Sequence, residues 1–122
     1  MRIVPVVKCS DLSRSIAFYT ETLDFHLADP TDTGPVIEIV HGDAELQLST
    51  MSGDSAYGCA INVWVDDVDA VFRTYVARGL DTSGRADSPV HRGPVDQTWG
   101  TRELYVTDPD GNTLRFRQPI RS

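Results

Sequence analysis

The chain has 122 residues, room for one domain, and 40% apolar against 24% charged residues is an ordinary globular balance. Its net charge of −7 argues against nucleic acid and against an anionic membrane surface, since both need concentrated Lys and Arg; it permits a cationic ligand. No apolar run is long enough to span a membrane, and Met1–Pro5 lacks the apolar segment of a signal peptide, so a cytoplasmic location is expected. Cys9 and Cys59, 50 positions apart with no CxxC spacing, read there as reduced thiols.

In chain order, Ile3 to Lys8 is apolar and rich in β-formers, a strand. Leu12, Ile16, Tyr19 and Leu23 then recur at helical spacing, with Ser10 or Asp11 placed to cap the helix. Three short strands follow: Phe25 to Ala28, the weakest, then Val36 to Val40 and Ala44 to Ser49 about a His41-Gly42-Asp43 turn. Ser52 to Gly58 is polar and reads as a linker. Cys59 to Val65 is again a strand. Val68, Val71, Phe72, Tyr75 and Val76 mark a second helix, capped by Asp66 or Asp67 and stopped near Gly79. Asp81 to Asp96, rich in Gly, Pro and charge, holds one irregular strand. Thr101 to Thr107 and Asn112 to Arg117 are strands about Asp108-Pro109-Asp110-Gly111, a strong turn signal.

The halves match at a shift of about 55 residues: Asp11, Leu12, Ile16 and Tyr19 correspond to Asp67, Val68, Phe72 and Tyr75. The expected fold class is α+β, a single domain over 1–122. Two tandem βαβββ modules, about 1–51 and 59–122 joined by 52–58, form a cupped mixed sheet with helices on the outer face. The linker is short enough for the modules to pair within one chain or to swap between chains. Open strand edges favour a homodimer.

This order, with these residues, resembles the vicinal-oxygen-chelate superfamily of glyoxalase I, extradiol dioxygenases, fosfomycin-resistance enzymes and bleomycin-resistance proteins. The resemblance covers nearly the whole chain. Its most specific stretch runs from Trp99-Gly100 through the strand to Asp108-Pro109-Asp110-Gly111-Asn112. Asp11-Leu12, Ser15, Phe18-Tyr19 and Leu23-Asp24-Phe25 resemble the first-module signature, with Asp24 where a glycine is usual; aspartate tolerates the left-handed conformation better than most residues.

The resemblance implies four metal-ligand positions, one on the first and one on the last strand of each half. They fall on Val4, Glu45, Cys59 or Ala60, and Arg115. One credible ligand of the four survives, so no metal and no cofactor is expected. His26, His41 and His91 show no ligand spacing, and no nucleophile elbow, phosphate loop or dinucleotide fingerprint is present.

Strand alternation about the apolar positions then fixes what would face the cup: Glu38, Glu45 and Gln47 from the first half, and Asn62, Trp64, Glu103, Tyr105 and Arg115 from the second. The carried-over register adds Val4, Val6 and Lys8, and Trp99 rims the cup. Aromatic faces beside carboxylates suit a flat, cationic, partly apolar small molecule. Lys8 and Arg115 oppose pure cation binding; they could pair with Glu45 or Glu103, or hold a ligand anion. Trp64 and Tyr105 either contact ligand or fill the interface between halves, and Glu38 and Glu103 are either ligand contacts or solvated faces.

The resemblance is closest to bleomycin-resistance proteins: short, acidic, two-module chains that dimerise and sequester a cationic drug in grooves between subunits, without a metal. The competing reading is a glyoxalase-like lyase, isomerase or dioxygenase with a rearranged metal site, for instance Glu45 with a partner's histidine. A structural or regulatory module with no ligand is the third.

Overall fold

The computed structural model describes residues 1–84 and 87–120; Arg85 and Ala86, inside the 81–96 segment, and residues 121–122 lie outside it. The chain is α+β and runs β1 (Val6–Lys8), α1 (Leu12–Ala17), β2 (His26–Leu27), β3 (Val36–His41), β4 (Ala44–Ser49), β5 (Ala60–Trp64), α2 (Val68–Ala77), β6 (Val95–Asp96), β7 (Thr101–Thr107), β8 (Thr113–Pro119). Two compact units result. The first comprises Met1–Cys59 with Asp108–Asn112, the second Ala60–Thr107 with Thr113–Ser122.

Each unit holds one mixed four-stranded sheet, and the two share one plan: order β1-β4-β3-β2 in the first, β5-β8-β7-β6 in the second. In both, the strand before the helix pairs parallel with the last strand and the remaining pairings are antiparallel. This is the duplication visible in the sequence, expressed as topology. The equivalent residues do equivalent work. Asp11 and Asp67 both sit in extended backbone as N-caps, accepting from the amides of Arg14 and Ala70 three residues on. Tyr19 and Tyr75 are both buried, edge-on to Phe25 and Phe116 respectively.

The first core gathers Val7, Tyr19, Leu23, Phe25, Ile37, Ile39, Leu46 and Leu48 on one face of the first sheet; the second gathers Val68, Tyr75, Leu104, Val106, Leu114 and Phe116. Alternation leaves the other face of each sheet to a mixture of polar and apolar side chains, with Val6 and Val40 beside Gln47 and Glu45 in the first and Trp64 and Val95 beside Arg117 and Glu103 in the second.

Local departures from the periodic pattern have local causes. β1 begins only at Val6, because Pro5 has no amide to donate and contributes just its carbonyl, to Gln47 N. The first helix is α only to Ala17 and continues to Thr22 as a π-helical turn, closed by Leu23 N donating to Phe18 O at 3.2 Å. Asp24 then takes φ 61°, the left-handed residue expected where a glycine is usual. Val76 lies on the exposed side of α2, outside the core stripe. The 81–96 segment contributes β6 and an isolated bridge from Val90 to Tyr105. Both cysteines are free, and no helix is long and apolar enough to cross a membrane among the described residues.

The tightest polar junction of the first unit is the turn 108–112. Asn112, 1% exposed, donates from Nδ2 to Lys8 O at 2.9 Å and to Asp108 Oδ2 at 3.0 Å; its Oδ1 accepts from the amides of Gly58 and Cys59 at 3.0 and 3.1 Å. Asp108 also accepts from the Tyr19 hydroxyl at 2.8 Å and from the amides of Asp110 and Asn112. Burial first, and then the Asp108 charge and hydrogen bond, push the Tyr19 hydroxyl pKa far up. Asn112→Ala removes the partner of two part-buried amides and a buried carbonyl. It should cost about 3 kcal/mol in urea denaturation, against under 1 kcal/mol for Asn112→Ala if the junction were ornamental.

Candidate functional site

The exposed face of the second sheet carries the candidate site. Leu104, Val106, Leu114 and Phe116 are buried on one side of β7 and β8, so Thr101, Glu103, Tyr105, Thr113, Arg115 and Arg117 rise on the other.

Glu103 is its centre. Only 4% exposed, it accepts through Oε2 from the Trp99 indole Nε1 and from Arg117 Nε, both at 2.9 Å, and from the Thr101 hydroxyl. Oε1 accepts from the Tyr105 hydroxyl at 2.7 Å, which itself accepts from Gln97 Nε2 at 3.3 Å. Burial alone would raise the Glu103 pKa. The donors Thr101, Tyr105, Trp99 and Arg117 outweigh it and bring the carboxyl down to about 2. The Tyr105 hydroxyl moves the other way, raised by burial and by the carboxylate it donates to.

This anchor fixes an aromatic ring in water. Trp99 is 61% exposed, yet its indole N–H is held by Glu103, and Gly100 at φ 91° turns the chain from one to the other. Trp64, 60% exposed, is held differently: Arg117 lies over its ring, Cζ 4.8 Å from the centroid. One arginine thus joins both features. Trp64 also lines an open groove of about 850 Å³ with Asp66, Asp96, Arg102, Gln118 and Ile120. Arg102 is pinned in that wall by Asp69 at 2.9–3.0 Å and Asp96 at 3.0 Å.

Asn62, Arg115 and Tyr105 form one register row across β5, β8 and β7. Arg115 makes no ion pair among the described residues, and its Nε is shielded from solvent without a hydrogen-bond partner.

The other four candidates belong to the first unit. Glu38 and Gln47 are register partners on β3 and β4, and Glu38 is exposed. Glu45 is ion-paired with Arg2 at 3.0 Å. Lys8 is buried and donates its ammonium to the Met51 carbonyl.

These placements correct the expected pairing of Lys8 or Arg115 with Glu45 or Glu103. Across β7 and β8 the register partner of Glu103 is Arg117, while Arg115 stands opposite Tyr105. Glu103 is also no solvated surface acid. The residues the sequence reading missed are Arg117, Thr101 and Gln97. The first was accessible: it follows Arg115 by two along one strand, hence on one face. His91, which shows no ligand spacing in the sequence, is a brace: Nε2 accepts from Thr107 N at 2.9 Å and Nδ1 donates to Asp81 O at 2.8 Å.

Residues 3–116 match the model of the glyoxalase/bleomycin resistance protein/dioxygenase superfamily. The chain belongs to this superfamily. Among solved structures it is similar to a bleomycin-binding protein in complex with bleomycin (26% identity, TM-score 0.77, covering 97% of this chain and 98% of that one). It is also similar to a bleomycin resistance determinant encoded on the transposon Tn5 (26%, TM-score 0.76, 98% of each chain). A third is TnmS3, an antibiotic-binding protein from Streptomyces sp. CB03234 (27%, TM-score 0.68, 98% and 97%). No protein of curated function matches the sequence. These neighbours place the chain with the bleomycin-resistance branch of the superfamily.

The donor set does not fit the divalent metal that superfamily enzymes carry. Of Val4, Glu45, Cys59 or Ala60, and Arg115, a valine cannot coordinate, an arginine repels a cation, and Glu45 is already paired with Arg2. Among the described residues no three His, Cys, Asp or Glu side chains gather where they could hold a metal ion.

The Glu103 anchor has a pH signature. Its folded pKa lies below the unfolded value of 4.5, so its contribution to stability is complete above that value and is lost as pH falls toward about 2. Glu103→Gln should lose about 2–4 kcal/mol at pH 7 and flatten the acid limb of the stability profile between pH 4.5 and 2.5, read by urea denaturation at several pH values. An unchanged acid limb would show that Glu103 is not the group responsible.

Proposed function

We propose that the chain is a metal-independent binding protein that sequesters an aromatic, antibiotic-like small molecule, acting as a cytoplasmic homodimer. The observation that carries this reading is the pair of exposed but immobilised indoles, Trp64 under Arg117 and Trp99 on Glu103. A ring held rigid in water forms a stacking platform whose ordering cost is met before the ligand arrives. Nothing in the Glu103 cluster is poised for catalysis: a carboxylate held near 2 by four donors is a poor general base at neutral pH.

Support also comes from the similar structures, a bleomycin-binding protein and an antibiotic-binding protein among them. The dimer is supported by unpaired strand edges and by large apolar side chains left in water, including Ile3, Val95 and Ile120. The reduced thiols Cys9 and Cys59 support the cytoplasm.

Of the cationic character first expected of the ligand, less support remains than of the aromatic. Glu103 and Glu45 are neutralised by Arg117 and Arg2, which leaves Glu38 as the open acid among the candidates.

Tryptophan fluorescence titration with a panel of aromatic antibiotics of both charge signs, metal-free bleomycin included, tests the reading. At least one should bind with a Kd of about 10 μM or tighter, and Trp99→Ala should weaken it about tenfold. Trp99→Phe, which keeps a ring but loses the N–H donor, should recover part of the loss. Silence across the panel at about 100 μM would sink the binding assignment. Stoichiometric Zn, Ni, Mn or Fe in protein purified without chelator would instead favour metalloenzyme chemistry. Light scattering should give twice the 13.5 kDa chain mass.

A further inference from the structure

Trp64, Arg117 and Glu103 form one register row across β5, β8 and β7. Arg117 therefore stands between the indole and the carboxylate. Its Cζ is 4.8 Å from the ring centroid, and its Nε is 2.9 Å from Glu103 Oε2. The charge that neutralises it lies one strand further on, so the charge nearest the indole is positive. That arrangement is fixed: the carboxylate is also bonded to Trp99, Thr101 and Tyr105, and it holds the guanidinium in place over the ring.

The rest of Trp64 is open to a ligand. The side chain is largely exposed and forms a wall of the groove of about 850 Å³, whereas Arg117 does not line that groove. A ring entering the groove thus meets the indole on the face away from the cation. An indole face is ordinarily electron-rich, and it attracts cations and electron-poor rings. A guanidinium on one face draws the π density toward itself, which leaves the opposite face less negative. Such a face loses attraction for cations and electron-poor rings and gains it for electron-rich ones.

The acids of the groove pull the other way. Asp96 is spent on Arg102 at 3.0 Å, and Asp66 is exposed to water, where a single carboxylate attracts weakly. Neither lies as a fixed charge against the ring, as Arg117 does.

We propose that Arg117 is a specificity-determining residue that acts through Trp64, selecting ligands whose stacking ring is electron-rich and uncharged, such as an alkoxyarene. The proposal rests on the binding reading above and specifies the ligand class it takes.

The probes are 5-methoxyindole, 5-cyanoindole and N-methylquinolinium: two neutral rings of opposite electron demand and one cationic ring. The ¹H–¹⁵N signals of the two indole N–H groups, Trp64 and Trp99, report affinity and place together. 5-Methoxyindole should bind at least about threefold tighter than either of the others and move the Trp64 signal. Arg117→Met should bring that preference to one or below, and Arg117→Lys should keep part of it, with circular dichroism reporting that each variant folds. Should Arg117→Met fail to fold, the wild-type order decides alone, since an indole with no cation behind it prefers the electron-poor ring. Cyanoindole or quinolinium binding as tightly as methoxyindole, a preference that survives in Arg117→Met, or movement confined to Trp99 would overturn the assignment while leaving the binding reading in place. If no probe binds by about 5 mM while the antibiotic panel does, the Arg117 assignment falls and the binding reading stands. If the panel is silent while methoxyindole binds at Trp64 in the expected order, the antibiotic reading falls and Arg117 keeps its role. If panel and probes are all silent, both fall.

Discussion

A buried carboxylate whose every oxygen is met by donors is the interaction on which both units depend. In the first unit it is Asp108, taking the Tyr19 hydroxyl, the Asn112 side chain and two amides of its own turn. In the second it is Glu103, taking an indole, two hydroxyls and a guanidinium. A carboxylate in an apolar interior without partners would cost several kcal/mol and would protonate instead. With four donors it becomes the point that fixes the position of everything bonded to it. Asp108 and Asn112 fix a helix tyrosine, the end of β1 and the amides of Gly58 and Cys59. Glu103 fixes a tryptophan, a tyrosine and an arginine.

The difference between them separates structure from function. Every group on Asp108 and Asn112 is main chain, a side chain of the turn itself or the buried Tyr19 hydroxyl, so that junction ends in stability. Two groups on Glu103 lead outward: Trp99 into solvent and, through Arg117, Trp64. The cost of ordering exposed aromatic rings is therefore carried by the fold. That is the physical condition for a stacking surface, and the acid at the centre of the candidate site supports it.

The fold was largely legible because its signals are short-range and periodic. Helix spacing, two aspartate caps, a positive-φ aspartate at position 24 and a Pro-Asp-Gly turn each follow from local chemistry, and the duplication links them into a topology. The site was legible by face but not by partner. Alternation places Glu103, Tyr105, Arg115, Asn62 and Trp64 on one side of the second sheet, where the structure has them. It does not give the register between β7 and β8, and a shift of two residues exchanges Arg117 for Arg115 as the partner of Glu103. The burial of Glu103 was equally hidden, since its four donors come from 99, 101, 105 and 117, only some of them on its own strand. The π-helical turn at Phe18–Thr22 left no trace in the period, because Tyr19 and Leu23 remain four apart and buried in either geometry.

That register decides which arginine Glu103 holds. Had Arg115 stood opposite Glu103, the face would hold one satisfied ion pair and a terminal arginine free to swing into water from the strand end. Instead Arg117, at the Trp64 row, is consumed by Glu103 and by the indole. Arg115, one row inward beside Tyr105 and Asn62, keeps its charge with its Nε out of reach of solvent. On an acidic chain, the one strand-borne charge of this face without an ion-pair partner among the described residues is therefore an arginine beside Tyr105. The bulk charge of −7 describes caps, turns and loops such as Asp11, Asp67, Asp81 and Asp110, whose carboxylates bond to nearby amides and hydroxyls. Those carboxylates keep their charge but sit at caps, turns and loops, so selectivity at this face is set by the groups on its own strands.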